Sequence, residues 1–218
     1  MPLHNASTSS DSELRDFLDT EASRDALSAL EPSAVLELLY EGNRRFAAGA
    51  SIEPRRSHSR IREIADRQAP FAAFLGCADS RVPVEIIFDQ GFGDLFVTRI
   101  AGNVATSENI GSLEFGTQVL GAKVLFVLGH TNCGAVAATM KREPVPGQIS
   151  SLFQFIRPAV RATEGDVNDV VRVNVRLQAQ TLAEASPVLA ELIGSGKLLV
   201  AGGVYDLSTG LVTPVPLE

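Results

Sequence analysis

From residue 70 onward the chain alternates short, continuous apolar runs with longer stretches of helical period. Residues 71–76, 94–100 and 123–129 are strand-length runs, and 109–120 carries Ile110, Leu113, Val119 and Leu120 at spacings that suit a helix packed on a sheet. After Cys133, the small residues Ala135, Val136, Ala137 and Ala138 begin another helix, which closes near Pro144. Helical patterns then fill 149–162 and 167–193, with Pro158 and Pro187 as predicted kinks or breaks. Residues 198–205 and 211–215, around Ser208-Thr209-Gly210, predict a hairpin. Strands alternating with helices predict an α/β fold, a mostly parallel central sheet flanked by helices.

Upstream the texture differs. Ser33 is placed to cap a helix whose Val35, Leu36, Leu38, Leu39 and Phe46 recur at near-helical spacing before Gly49. The stretch 55–67 holds five arginines, with Ile61 and Ile64 three apart. It predicts a solvated helix face partly balanced by Glu63 and Asp66, in preference to an anion-binding patch. Residues 1–30 carry six acids against two arginines and read as an acidic arm, mobile or loosely docked, with a short helix around 14–18. With no internal repeat and no separating linker, 31–218 is expected to form a single α/β domain.

Composition narrows the classes. The 218 residues have a formal charge of −7, which argues against affinity for nucleic acid or an anionic membrane surface. Hydrophobic residues at 45% and charged ones at 21% are the balance of a packed, soluble protein. No apolar run nears the roughly 20 residues that span a bilayer, and the polar start does not read as a secretory signal, so the expected compartment is the cytoplasm.

Chemistry is concentrated in few residues. The chain has two cysteines, Cys77 and Cys133, and three histidines, His4, His58 and His130. Cys77 follows the first predicted strand and His130 and Cys133 follow the third. If these strands are neighbours, both thiols and one imidazole converge at the carboxyl edge of the sheet, where ligands of open parallel sheets bind. Two thiolates and an imidazole suit zinc and leave a fourth position for water or substrate. Taken singly, each cysteine could be an inert buried hydrophobe and His130 a satisfied core histidine. A redox or disulfide pair of Cys77 with Cys133 is the other alternative. Asp79 and Arg81, two residues apart in the turn after the first strand, can form a charge-assisted pair.

The strings Cys77-Ala78-Asp79-Ser80-Arg81-Val82-Pro83 and Gly129-His130-Thr131-Asn132-Cys133-Gly134-Ala135 resemble the two signature motifs of the β-class carbonic anhydrases. The resemblance extends through 85–91, 93–97, Arg99, 101–103 and 111–114, and spans roughly residues 33–205. It implies one zinc ion per subunit on Cys77, His130 and Cys133, and reversible hydration of carbon dioxide to bicarbonate and a proton. It also implies that a zinc-bound hydroxide is the nucleophile, oriented by Asp79, which Arg81 holds away from the metal. By the same resemblance, Phe96 lines the substrate pocket and the Gly134 N–H contacts bicarbonate. Gln68 offers its amide to the pocket of a neighbouring subunit, so the expected assembly is a homodimer or a dimer of dimers, with N-terminal helices packed on the partner.

Two departures stand out. A pocket position often held by tyrosine is Phe115, and the chain has no tryptophan. Some β-class members have a tryptophan-dependent bicarbonate pocket that favours aspartate on zinc; its absence implies an open site. Hydrolysis of carbon disulfide or carbonyl sulfide on the same scaffold is the alternative activity. A zinc or thiol regulator without turnover is a further one, and the presence of Asp79 with Arg81 argues against it.

Overall fold

The computed structural model describes residues 27, 29–141 and 143–217, so the expected acidic arm lies mostly outside the described residues. Helix α1, Pro32–Ala47, is followed by α2, His58–Glu63, and then by β1, Ala72–Gly76. The short α3, Val84–Ile87, leads to β2, Leu95–Arg99, and α4, Ser107–Glu114, runs into a π-helical turn, Phe115–Val119. Next come β3, Val124–His130, and α5, Gly134–Lys141. A 3-10 turn, Ile149–Leu152, precedes α6, Phe153–Arg161, and α7, Val167–Ala185. Helix α8, Pro187–Gly194, then leads to β4, Leu199–Tyr205, and β5, Val212–Pro214.

The five strands lie in the order β2-β1-β3-β4-β5, parallel except for the antiparallel β4–β5 hairpin. The chain leaves β1 first toward β2 and then returns to β3 on the opposite side. The gap between the carboxyl ends of β1 and β3 is therefore a topological switch point. In register, Gly76 pairs with Leu128, so Cys77 and the end of β3 emerge side by side.

Strand alternation divides the core between the two sheet faces. Ala73, Leu75, Leu125 and Val127 belong to the cluster that includes Val170, Val171 and Val175 of α7. Ala72, Phe74, Val124, Phe126 and Leu128 belong to the cluster with Val35 and Leu39 of α1 and Ile87 and Phe88 at α3. There the Phe74 and Phe126 rings stack with centroids 5.3 Å apart. Helix α1 thus lays its buried stripe on the sheet of its own chain. Among the described residues, no helix is long and apolar enough to cross a membrane.

Several sequence expectations shift. Helix α1 begins at Pro32, with Glu31 at the cap position and Ser33 already inside the first turn. Proline is well suited to that first position, since its fixed φ is helical and its missing N–H has no intrahelical partner there. Pro158 does not end α6, which continues to Arg161 with Phe153, Ile156 and Ala159 buried. Pro187 does mark a break, as the first residue of α8.

The helix expected over 109–120 changes phase at the π turn. The wider turn brings Gly116 and Thr117 inward and leaves Val119 64% exposed. The arginine-rich stretch is a solvated face only in part: Arg62, Arg67, Glu63 and Asp66 are exposed, and Arg60 pairs with Glu63 at 3.4 Å. Arg55 and Arg60 are buried, and Arg55 Nε sits 2.6 Å from Asp94 Oδ1. Arg60 Nε donates to the Phe92 carbonyl at 3.2 Å. These side chains bind the loop that leads into β2.

Candidate metal centre

The ligand-bearing residues arise at three strand or helix ends. Cys77 directly follows β1, His130 is the last residue of β3, and Cys133 immediately precedes α5. Between the last two, Asn132 takes the left-handed conformation at φ 55°, which an asparagine tolerates and which turns the chain sharply. Its N–H donates to Asn168 Oδ1 at 2.9 Å. The Thr131 N–H donates to the Tyr205 carbonyl at 2.9 Å, and Leu207 N–H to Thr131 Oγ1 at 3.0 Å. The turn is therefore anchored to β4 and α7.

Two thiol sulfurs and one imidazole nitrogen lie within 4.8 Å of one another, all three residues buried. Both cysteines are free thiols. His130 is fully buried, and its Nδ1 lies 3.0 Å from the Thr131 carbonyl, a contact that makes Nδ1 the protonated nitrogen. Its Nε2 then keeps a lone pair, and no hydrogen-bond partner for it occurs among the described residues. A buried nitrogen left unpaired is costly unless something occupies its lone pair. The donor set and its spacing fit a tetrahedral ion with bonds of about 2.0–2.3 Å.

Electrostatics around the thiols are uneven. The Cys133 side chain first, and then the Gly102 and Asp79 backbone, lower the Cys77 thiol, against the opposing effect of burial. The Gly102 N–H lies 3.3 Å from Cys77 Sγ. Cys133 is raised, first by the neighbouring Cys77 and then by burial, although the amides of Ala135 and Val136 at the start of α5 oppose this.

Asp79 lies at the edge of this cluster, with Oδ2 3.8 Å from His130 Nε2. Arg81 Nε donates to Oδ1 at 2.9 Å, Arg81 Nη2 to Oδ2 at 2.8 Å, and the Arg81 N–H to Oδ1 at 2.9 Å. These bonds hold the Asp79 carboxyl well below the usual carboxylate range.

The other expected site residues fall as follows. Gly134 is the first residue of α5, and a Cβ there would meet nothing within 4 Å. Phe96 is in β2, half-buried, with its ring 6.3 Å from that of Phe115. It packs on the same core cluster that contains Cys77 and Cys133. Gln68 is exposed and precedes β1, whereas Cys77 follows it, so the two lie at opposite ends of that strand.

One contributor had no role in the sequence reading. Arg99, the last residue of β2, donates from Nε to the Cys77 carbonyl at 2.8 Å and from Nη2 to the Asp79 carbonyl. The signal available was its position at a strand end; its target becomes visible only when β2 is paired with β1.

A parallel sheet that delivers two thiols and an imidazole to one buried point, beside an ionised carboxylate, defines a metalloenzyme with three protein ligands. Residues 72–212 match the family model described as carbonic anhydrase. The chain is 37% identical over 187 residues to carbonic anhydrase 2 of Mycobacterium tuberculosis, an alignment covering 82% of this chain and 90% of that protein. Among solved structures, the β-carbonic anhydrase CafA of Aspergillus fumigatus superposes with a TM-score of 0.68 at 27% identity. That match covers 85% of this chain and 91% of CafA. The Coccomyxa β-carbonic anhydrase in complex with acetazolamide gives 0.67 at 28% identity, over 80% of this chain and 83% of that one. The chain belongs to the β class of the carbonic anhydrase family. It is accordingly a carbonate dehydratase, with the Cys2His metal site typical of that class.

Proposed function

We propose that Cys77, His130 and Cys133 hold one zinc ion per chain and that Asp79 and Arg81 complete the machinery for hydrating carbon dioxide. The observation that carries this reading is the pre-assembled triad, with its unpaired, fully buried His130 Nε2. Zinc in such a site would lower the pKa of a water molecule, so that hydroxide is available near neutral pH to attack carbon dioxide. The remaining roles belong to the chain.

Asp79, ionised and acceptor-only, takes a hydrogen bond from the nucleophilic water and fixes its orientation. Arg81 engages both carboxylate oxygens and keeps Asp79 from becoming a fourth ligand itself. This favours an open site. The two thiolates offset the charge of the cation and weaken its effect on water compared with an all-histidine site, so hydration should rise toward alkaline pH. The Gly134 N–H, one of the unbonded donors at the start of α5, receives an oxygen of bicarbonate, and Phe96 supplies apolar wall. Gln68 is too far along β1 to serve its own Cys77 and acts at the site of a second copy.

Metal analysis tests the ligand assignment. The purified chain should carry one zinc per chain, and Cys77→Ala should carry none while remaining folded by circular dichroism. Stoichiometric zinc in Cys77→Ala would refute the assignment.

A further inference from the structure

Helix α7 packs against β3 and β4, and its buried face is mostly apolar: Val170, Val171, Val175, Ala179 and Leu182. Two polar side chains interrupt it. Asn174 and Gln178 are 1% and 3% exposed and one helical turn apart, and buried amides are costly unless they are hydrogen-bonded. Their bonds account for them. Asn174 Nδ2 donates to the Gly102 carbonyl at 2.9 Å. Gln178 Nε2 donates to Asn174 Oδ1 at 3.1 Å and to the Phe155 carbonyl at 3.1 Å. Gln178 Oε1 accepts the Ala105 N–H at 2.8 Å.

The two amides therefore grip both ends of the loop 102–105 and tie it to α7 and α6. That loop has a second attachment, because the Gly102 N–H points at Cys77 Sγ, 3.3 Å away. Gly102 takes φ +80°, and a Cβ there would lie 2.7 Å from Ile156 Cδ1. Asn174 thus holds the carbonyl on one side of the Gly102 Cα, while the amide on the other side is aimed at the sulfur.

We propose that Asn174 and Gln178 are positioning residues for the metal centre: through the 102–105 loop they aim the Gly102 amide at Cys77 Sγ and so set the geometry and donor strength of that ligand. An amide hydrogen bond to a thiolate draws charge from sulfur and fixes its direction. Partners one step beyond the ligands commonly change metal affinity in this way. The inference rests on the proposed zinc reading, since it needs Cys77 to be a ligand.

The test compares the full-length wild type with Asn174→Ser and Gln178→Met. Asn43→Ser serves as control, because Asn43 is equally buried and bonded but holds the Ile87 and Gly210 carbonyls and the Val212 N–H, away from the site. Zinc affinity is read by competition with a chromophoric chelator, and the cobalt(II)-substituted proteins are read by their thiolate-to-metal charge-transfer band. Asn174→Ser and Gln178→Met should each lose zinc affinity by about tenfold or more and shift the band. Asn43→Ser should lose stability alone. If either site variant folds and keeps wild-type affinity and spectrum, the proposal is overturned, and it fails equally if Asn43→Ser moves both as far. A wild type that binds no zinc would instead refute the underlying zinc reading.

Discussion

At the residue scale, the centre combines groups whose charges do not change over the working range with others that do. Arg81 holds Asp79 ionised, and its folded pKa lies below the unfolded value of about 3.9. The dyad's contribution to stability is therefore complete above that value and is lost only as pH falls through the lower, folded pKa. Between pH 5 and 9 it stays charged, and the rise of hydration with pH comes from the water. Asp79→Asn should keep its zinc but turn over about 100-fold more slowly, the scale expected when a reacting group is misplaced. Stopped-flow assays beside metal analysis check this. A fully active asparagine variant would remove the orienting role. The ligands and dyad were readable in sequence because both motifs are contiguous strings. Arg99, Gly102, Asn174 and Gln178 were not, because each acts on the site through a backbone group that sequence distance hides.

At the element scale, the apolar periodicity located the strands to within a residue or so, and the helical patterns between them made the parallel sheet evident. The errors have local causes. One extra residue in the π turn moved Val119 outward. The arginines of 55–60 looked solvated because their partners, Asp94 and the Phe92 carbonyl, lie more than thirty residues away. The contact between β3 and α7 offers a direct probe. A Cβ at Gly129 would lie 2.7 Å from Val175 Cγ2 and 2.9 Å from Val171 Cγ1. Both valines are stiff in a helix. Gly129→Ala should therefore cost about 1–3 kcal/mol by overpacking, and it should also weaken zinc binding, since His130 is the next residue. Urea unfolding of the metal-free protein reads the first effect, and a variant as stable as the parent would contradict the packing argument.

At the scale of the whole molecule, the fold brings two strand ends together at the switch point, and the site forms where the sheet's topology leaves a crevice. The same topology leaves β2 as an outer strand, with Leu95, Phe96, Val97 and Thr98 only half-buried. It also leaves Gln68 at the far end of β1 from its own site. A second copy covering that edge would explain both, so sedimentation under assay conditions should give twice or four times the 23.2 kDa chain mass. A fully active monomer would exclude a shared site.

The central claim is that this chain hydrates carbon dioxide through zinc on Cys77, His130 and Cys133. Stopped-flow hydration by the purified chain, with zinc content measured on the same sample, tests it most directly. The account predicts one zinc per chain and catalysis that increases from pH 7 to 9, is lost on chelation and returns with added zinc. A fully zinc-loaded chain without hydration activity across that range would contradict it.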